Sequence, residues 1–146
     1  MKKILVFIVA ALLAAACGKK EADVNVDGSW HLTSVSSLEN GTVDIWLRFG
    51  SGNVFTIWQK SAAEDRYSVF TGNYSVNGKK ISGKYSDGTS WGDSYEVAIS
   101  SDGGTLTLTA SGSGEVSSYA KSDVPESVTD NTYSTKSGEI PAMRWL

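Results

Sequence analysis

The chain has 146 residues, 13 Lys and Arg against 16 Asp and Glu, a net charge of −3, and a single cysteine and a single histidine. That length supports one domain with a proper core and is short for two. One cysteine excludes an internal disulfide, cysteine and histidine together cannot complete a structural zinc site, and an acidic chain without a Lys/Arg cluster lacks the footprint of a nucleic-acid binder.

Lys2 and Lys3 open the chain, residues 4–13 are apolar, and Ala14, Ala15 and Ala16 stand directly before Cys17. This is the shape of a bacterial signal peptide, and the apolar run is too short to span a bilayer. Small residues followed at once by the only cysteine resemble a lipobox. The resemblance implies removal of a signal peptide at 1–16 and acylation of Cys17, for example with palmitate. It also implies a lipid anchor in the cell envelope, with the outer membrane favoured and the face it displays left open. An ordinary secreted protein with an incidental cysteine is the alternative. Without Lys2 and Lys3 the mature chain carries 11 basic and 16 acidic residues, a net charge of −5. Residues 17–27, polar and without apolar periodicity, read as the lipidated cysteine and a flexible tether.

Residues 28–121 consist of short alternating runs broken by Gly, Asn, Asp and Ser, with no 3.6-residue apolar stripe. Eight strands are expected, at 30–36, 44–49, 54–59, 66–76, 79–86, 94–100, 105–110 and 115–121. Asn77-Gly78 is a strong signal for a two-residue hairpin turn, which sets Val76 opposite Lys79, Tyr74 opposite Ile81 and Gly72 opposite Gly83. Asp102-Gly103 sets Ile99 opposite Leu106 and Val97 opposite Leu108. With Phe49 opposite Phe55, Trp46 faces Trp58 on the outer side. In the last strand Val116 is expected inward. Every connection is short enough for a hairpin, so the fold class is all-β. Closure removes both free edges, which favours an eight-stranded antiparallel up-and-down barrel over a sandwich. Residues 122–146 contain both prolines and are expected to form a helical turn near 124–128, then an irregular C-terminal strap that packs on the barrel.

Gly28-Ser29-Trp30 at the start of the first strand, the strand count and the lipobox together resemble lipocalin-like lipoproteins of Gram-negative gut commensals. The resemblance spans roughly residues 27–121. It implies that Gly28 and Trp30 close one end of the barrel, with a late arginine, here Arg144, lying across the tryptophan. The family's long C-terminal helix is not visible, and its usual disulfide is impossible. The resemblance implies a small apolar or amphipathic ligand held at the barrel mouth.

Most inward residues are simply core, since an eight-stranded barrel has an interior that side chains just fill. Gly72 and Gly83 are either room for a ligand or a bend needed for closure. Trp91, in a loop between carboxylates, either stacks on a ligand or caps its own core. Phe70, Tyr74, Tyr85, Trp91 and Tyr95 are the candidate ligand-binding residues. For the outer pair Trp46 and Trp58 three readings stand: a protein or glycan platform, a membrane contact, or a surface covered by the tail bearing Trp145. The alternative function is an interaction module with a filled barrel that uses this pair.

Catalytic patterns fail. Ser118 and Lys121 have S-x-x-K spacing, but on a strand they point to opposite faces. His31 lacks a placed nucleophile, and Asp87 and Asp93 read as turn formers. No enzyme activity, metal or cofactor is expected. The lipid anchor gives a direct expectation: Cys17→Ser releases the protein from the membrane fraction, and a mutant that still needs detergent for extraction removes the lipidation claim.

Overall fold

The computed structural model describes residues 22–133 and 144–146; the leader and Cys17 lie outside the described residues. Alternating segments between Gly-, Asn- and Asp-containing turns form β1 Gly28–Val35, β2 Val43–Gly50, β3 Val54–Ser61 and β4 Ser68–Asn77. They continue as β5 Lys80–Tyr85, β6 Tyr95–Ile99, β7 Thr105–Ala110 and β8 Val116–Lys121, followed by a short helix, α1 Glu126–Thr129. Each strand pairs antiparallel with the next, and β8 returns to β1, giving the expected closed up-and-down barrel.

Two registers are as expected. Phe49 faces Phe55 and Trp46 faces Trp58 across β2–β3, and Ile99 faces Leu106 and Val97 faces Leu108 across β6–β7. The β4–β5 hairpin is displaced. Asn77 pairs with Lys80, Tyr74 with Gly83 and Gly72 with Tyr85. A type I′ turn over Asn77-Gly78 needs positive φ at both residues, but only Gly78, at 63°, has it. Gly78 and Lys79 therefore form the turn. Residues 23–24 hold it from outside, the Gly78 amide donating to Asp23 Oδ1 and the Val24 amide to the Gly78 carbonyl, at 2.7 and 2.8 Å. A slip of two residues keeps every side chain on its face, so the core survives while the glycine pair is separated.

Each of those glycines faces a large partner. A Cβ on Gly72 would lie 2.0 Å from the Lys84 carbonyl oxygen and 2.8 Å from the Phe55 ring. One on Gly83 would lie 2.4 Å from the Trp91 indole. The volume that Gly83 leaves is thus occupied by Trp91, which is 6% exposed and sits edge-on to Phe55. Trp91 reaches inward because β5 and β6 pair only at Lys80 with Glu96 and at Ile81 with Tyr95. Beyond those pairs the loop takes over the seam, with the Trp91 amide donating to the Gly83 carbonyl at 2.9 Å.

β8 runs in the opposite phase to that expected. Tyr119 and Ser117 are buried, facing Leu106 and Leu108, and Val116 is exposed. The closed end also differs. Val26, expected in the tether, is 2% exposed within the core, and its carbonyl accepts the Trp30 indole N–H at 2.9 Å. The cation over Trp30 is Lys121, its Nζ 5.6 Å from the ring centre, rather than Arg144. Since Trp30 pairs directly with Lys121 across the β1–β8 seam, the lysine is delivered by register. Gly28, with φ of 125°, lets the chain turn into β1 beneath that lysine.

The glycine contacts predict that Gly72→Ala lowers stability by roughly 3 kcal/mol, the upper end of overpacking costs, because the clash is with backbone. Gly92→Ala, whose Cβ would meet nothing within 4 Å, serves as the control. Denaturant midpoints of the two variants check this, and equal midpoints would contradict the packing described.

Candidate functional site

The end of the barrel opposite Trp30 receives residues 144–146. Leu146 is buried among the core side chains and Trp145 is partly buried against them. Four barrel side chains hold this segment. Gln59, near the end of β3, accepts the Trp145 amide through Oε1 at 2.8 Å. Tyr119, on β8, accepts the Trp145 indole N–H at 2.7 Å. Tyr85, at the end of β5, donates its hydroxyl to the Leu146 carbonyl at 2.6 Å and accepts the Leu146 amide at 3.2 Å. Asp87, just beyond β5, receives both terminal nitrogens of Arg144, with Nη1 at 3.2 Å from Oδ1 and Nη2 bonded to Oδ2. The guanidinium lies 4.4 Å from the centre of the Tyr85 ring and 5.4 Å from that of Phe70.

Electrostatics follow this geometry. The Arg144 guanidinium, helped by the Thr89 amide, holds the Asp87 carboxyl well below the usual range. Burial pushes the Tyr85 phenol up to about 12, more than the Leu146 backbone and Arg144 lower it. Tyr119 is also raised to about 12 by burial, against opposing hydrogen bonds from Ser117 and Trp145. Burial likewise raises Tyr95. The mouth is therefore lined by neutral phenols that can both donate and accept, with one carboxylate on the rim.

Of the five residues expected to bind a ligand, Phe70 and Tyr85 touch the 144–146 segment. Trp91 and Tyr95 pack against each other in the wall, ring centres 6.1 Å apart. Tyr74 lies at the other end, its hydroxyl donating to Asp27 Oδ1 at 3.2 Å, and burial with Asp27 raises it to about 12. Arg144 belongs to the mouth and not to barrel closure. Gln59, Tyr119 and Asp87 were not anticipated here. Gln59 was the legible one, since it shares the inward phase of Phe55 and Ile57 and is polar.

The outer tryptophans do not form an exposed platform. Trp46 and Trp58 are 7% and 6% exposed and form a second core with Tyr67 and Val128, flanked by Val69 and Val124. The chain after β8 covers them, through α1 rather than through Trp145. The rim of this cluster is polar. His31 stacks on Trp46 at 3.8 Å and its Nε2 lies 2.6 Å from Asp44 Oδ1, while the Tyr67 hydroxyl donates to Asp44 Oδ2. Burial raises the Asp44 carboxyl, but the bonds from Tyr67 and His31 more than offset it and leave it below its ordinary value. Through these contacts Asp44 fastens the Tyr67 hydroxyl and the His31 ring that lies on Trp46. Among the described residues no group of three His, Cys, Asp or Glu side chains could hold a metal ion.

No protein-family model, curated protein or solved structure matches the chain.

The buried phenols set a pH dependence. Tyr74, Tyr85 and Tyr119 are each raised from 10 to about 12, so the folded state holds their protons more tightly than the unfolded chain. Their contribution is complete below pH 10 and is lost as the pH rises toward 12. The denaturant midpoint should therefore fall steeply over that interval, in step with phenolate absorbance. A midpoint unchanged through it would contradict the burial of these hydroxyls.

Proposed function

We propose that this chain is a lipid-anchored, lipocalin-like protein of the bacterial envelope that binds a small amphipathic ligand at the barrel mouth and carries no enzymatic activity. One observation supports this above others. The mouth already accommodates an amphipathic segment, with Leu146 buried, Trp145 half-buried and Arg144 on the rim against Asp87. Aromatic walls with a few convergent polar groups are the ordinary composition of a small-molecule site.

The interior favours a shallow site over a deep one. Trp91 fills the space at Gly83, and Phe55, Tyr85 and Tyr119 occupy the lumen between the two ends. A ligand is then taken at the rim, in the volume of residues 145–146, and does not pass down the barrel axis.

The reading predicts that a variant lacking residues 144–146 binds a fluorescent fatty-acid probe at least about tenfold more tightly than the intact chain, because the resident segment no longer competes. Fluorescence titration of both proteins, with circular dichroism to establish folding, checks this. Equal and negligible binding by both folded proteins would remove the ligand-binding reading.

A further inference from the structure

We infer that the barrel mouth is a peptide-recognition site for a basic–aromatic–aliphatic tripeptide run presented by another polypeptide, with Arg144-Trp145-Leu146 as its resident occupant. This rests on the reading of the mouth as a ligand site and names the ligand's class. Three of the contacts there are to main-chain atoms. Gln59 accepts the Trp145 amide, and the single Tyr85 hydroxyl both accepts the Leu146 amide and donates to its carbonyl. A peptide matches more of these contacts than a fatty acid does, since it offers main-chain N–H groups to both Gln59 and the Tyr85 hydroxyl.

The side-chain contacts specify a sequence. Tyr119 is fully buried, and its hydroxyl receives the Trp145 indole N–H. Phenylalanine there would supply the ring but no donor. Asp87 takes two guanidinium nitrogens while the same guanidinium covers the Tyr85 and Phe70 rings. Lysine cannot reproduce that planar two-point contact and stacking. The third position is apolar and enclosed, as Leu146 is at 5% exposure.

The segment is not needed to finish the fold's other end. Lys121 covers Trp30, and Val26 backs it. The cis segment acts on the mouth as a tethered ligand, an intramolecular competitor of any separate peptide. A separate peptide therefore binds the truncated chain readily and the intact chain only by displacing its own tail.

The experiment uses acetyl- and amide-capped Arg-Trp-Leu, with Lys-Trp-Leu and Arg-Phe-Leu as comparators. Each is titrated calorimetrically into the chain lacking 144–146 and into the full chain. Arg-Trp-Leu should bind the truncated chain at least about tenfold more tightly than either comparator and than it binds the full chain. Asp87→Asn in the truncated chain should erase the preference for Arg over Lys. If truncation prevents folding, the full chain is followed by the indole N–H resonance of Trp145, which millimolar Arg-Trp-Leu should shift and Arg-Phe-Leu should not. Binding of the fatty-acid probe without binding of the peptide overturns the peptide assignment and leaves the ligand site standing. Failure of both in folded protein removes both. Equal binding of the three peptides overturns the sequence preference. A concentration-dependent dimer of the full chain that Arg-Trp-Leu dissolves would make the occupant a second copy, which also overturns the inference. An unmoved Trp145 resonance in a chain that folds only at full length does the same.

Discussion

An eight-strand perimeter encloses a lumen about as wide as the side chains that point into it, and the rest of this structure is a division of that space. Every inward residue must be matched by a smaller one across from it or by a gap along the axis. Gly72 yields to Phe55 and the Tyr85 backbone, and Gly83 yields to Trp91. At one end the space goes to Trp30 and Val26, and at the other to Leu146. Among the described residues, the chain's own side chains take up much of the lumen.

Two aromatic clusters, one on each side of the wall, divide the work of holding the tail. The outer one, built on Trp46, Trp58 and Tyr67, receives Val124 and Val128, and Thr132 pairs alongside Tyr67. The inner one receives residues 145–146. Among the described residues of the tail, those up to 133 pack on the outer cluster and 144–146 on the inner one. Both attachments combine apolar burial, of Val128 in the first and Leu146 in the second, with hydrogen bonds: Asn131 and Tyr133 bond the Tyr67 backbone, and Gln59, Tyr85 and Tyr119 bond residues 145–146.

Much of the barrel is written in period-two alternation. The pairings of β2 with β3 and of β6 with β7 follow from single facing residues, because one face of each strand is apolar. What the sequence conceals has local causes. The Asn77-Gly78 turn was decided by a tertiary contact, Asp23 and Val24 binding Gly78, which no local propensity encodes. In β8 a valine and a tyrosine sit in opposite phases, and hydrophobicity alone ranks Val116 as inward when volume and a hydroxyl partner select Tyr119. The lysine over Trp30 is a register consequence, visible only once β1 and β8 are known to pair. The mouth was partly legible: Tyr85 and Phe70 were anticipated, but the destination of Arg144 depends on Asp87, a turn residue whose charge carries no pattern.

The same β1–β8 seam governs when the barrel can form. Its paired residues are about ninety apart in the chain, so most of the loop entropy of closure falls on the last pairing made. A growing chain that has not yet reached β8 has no partner for β1 on that side, no cation over Trp30, and a free β7 edge as well. Closure of this barrel consequently waits on its last strand. Until that moment the edges of β1 and β7 remain unpaired, the exposure that closure of the barrel removes.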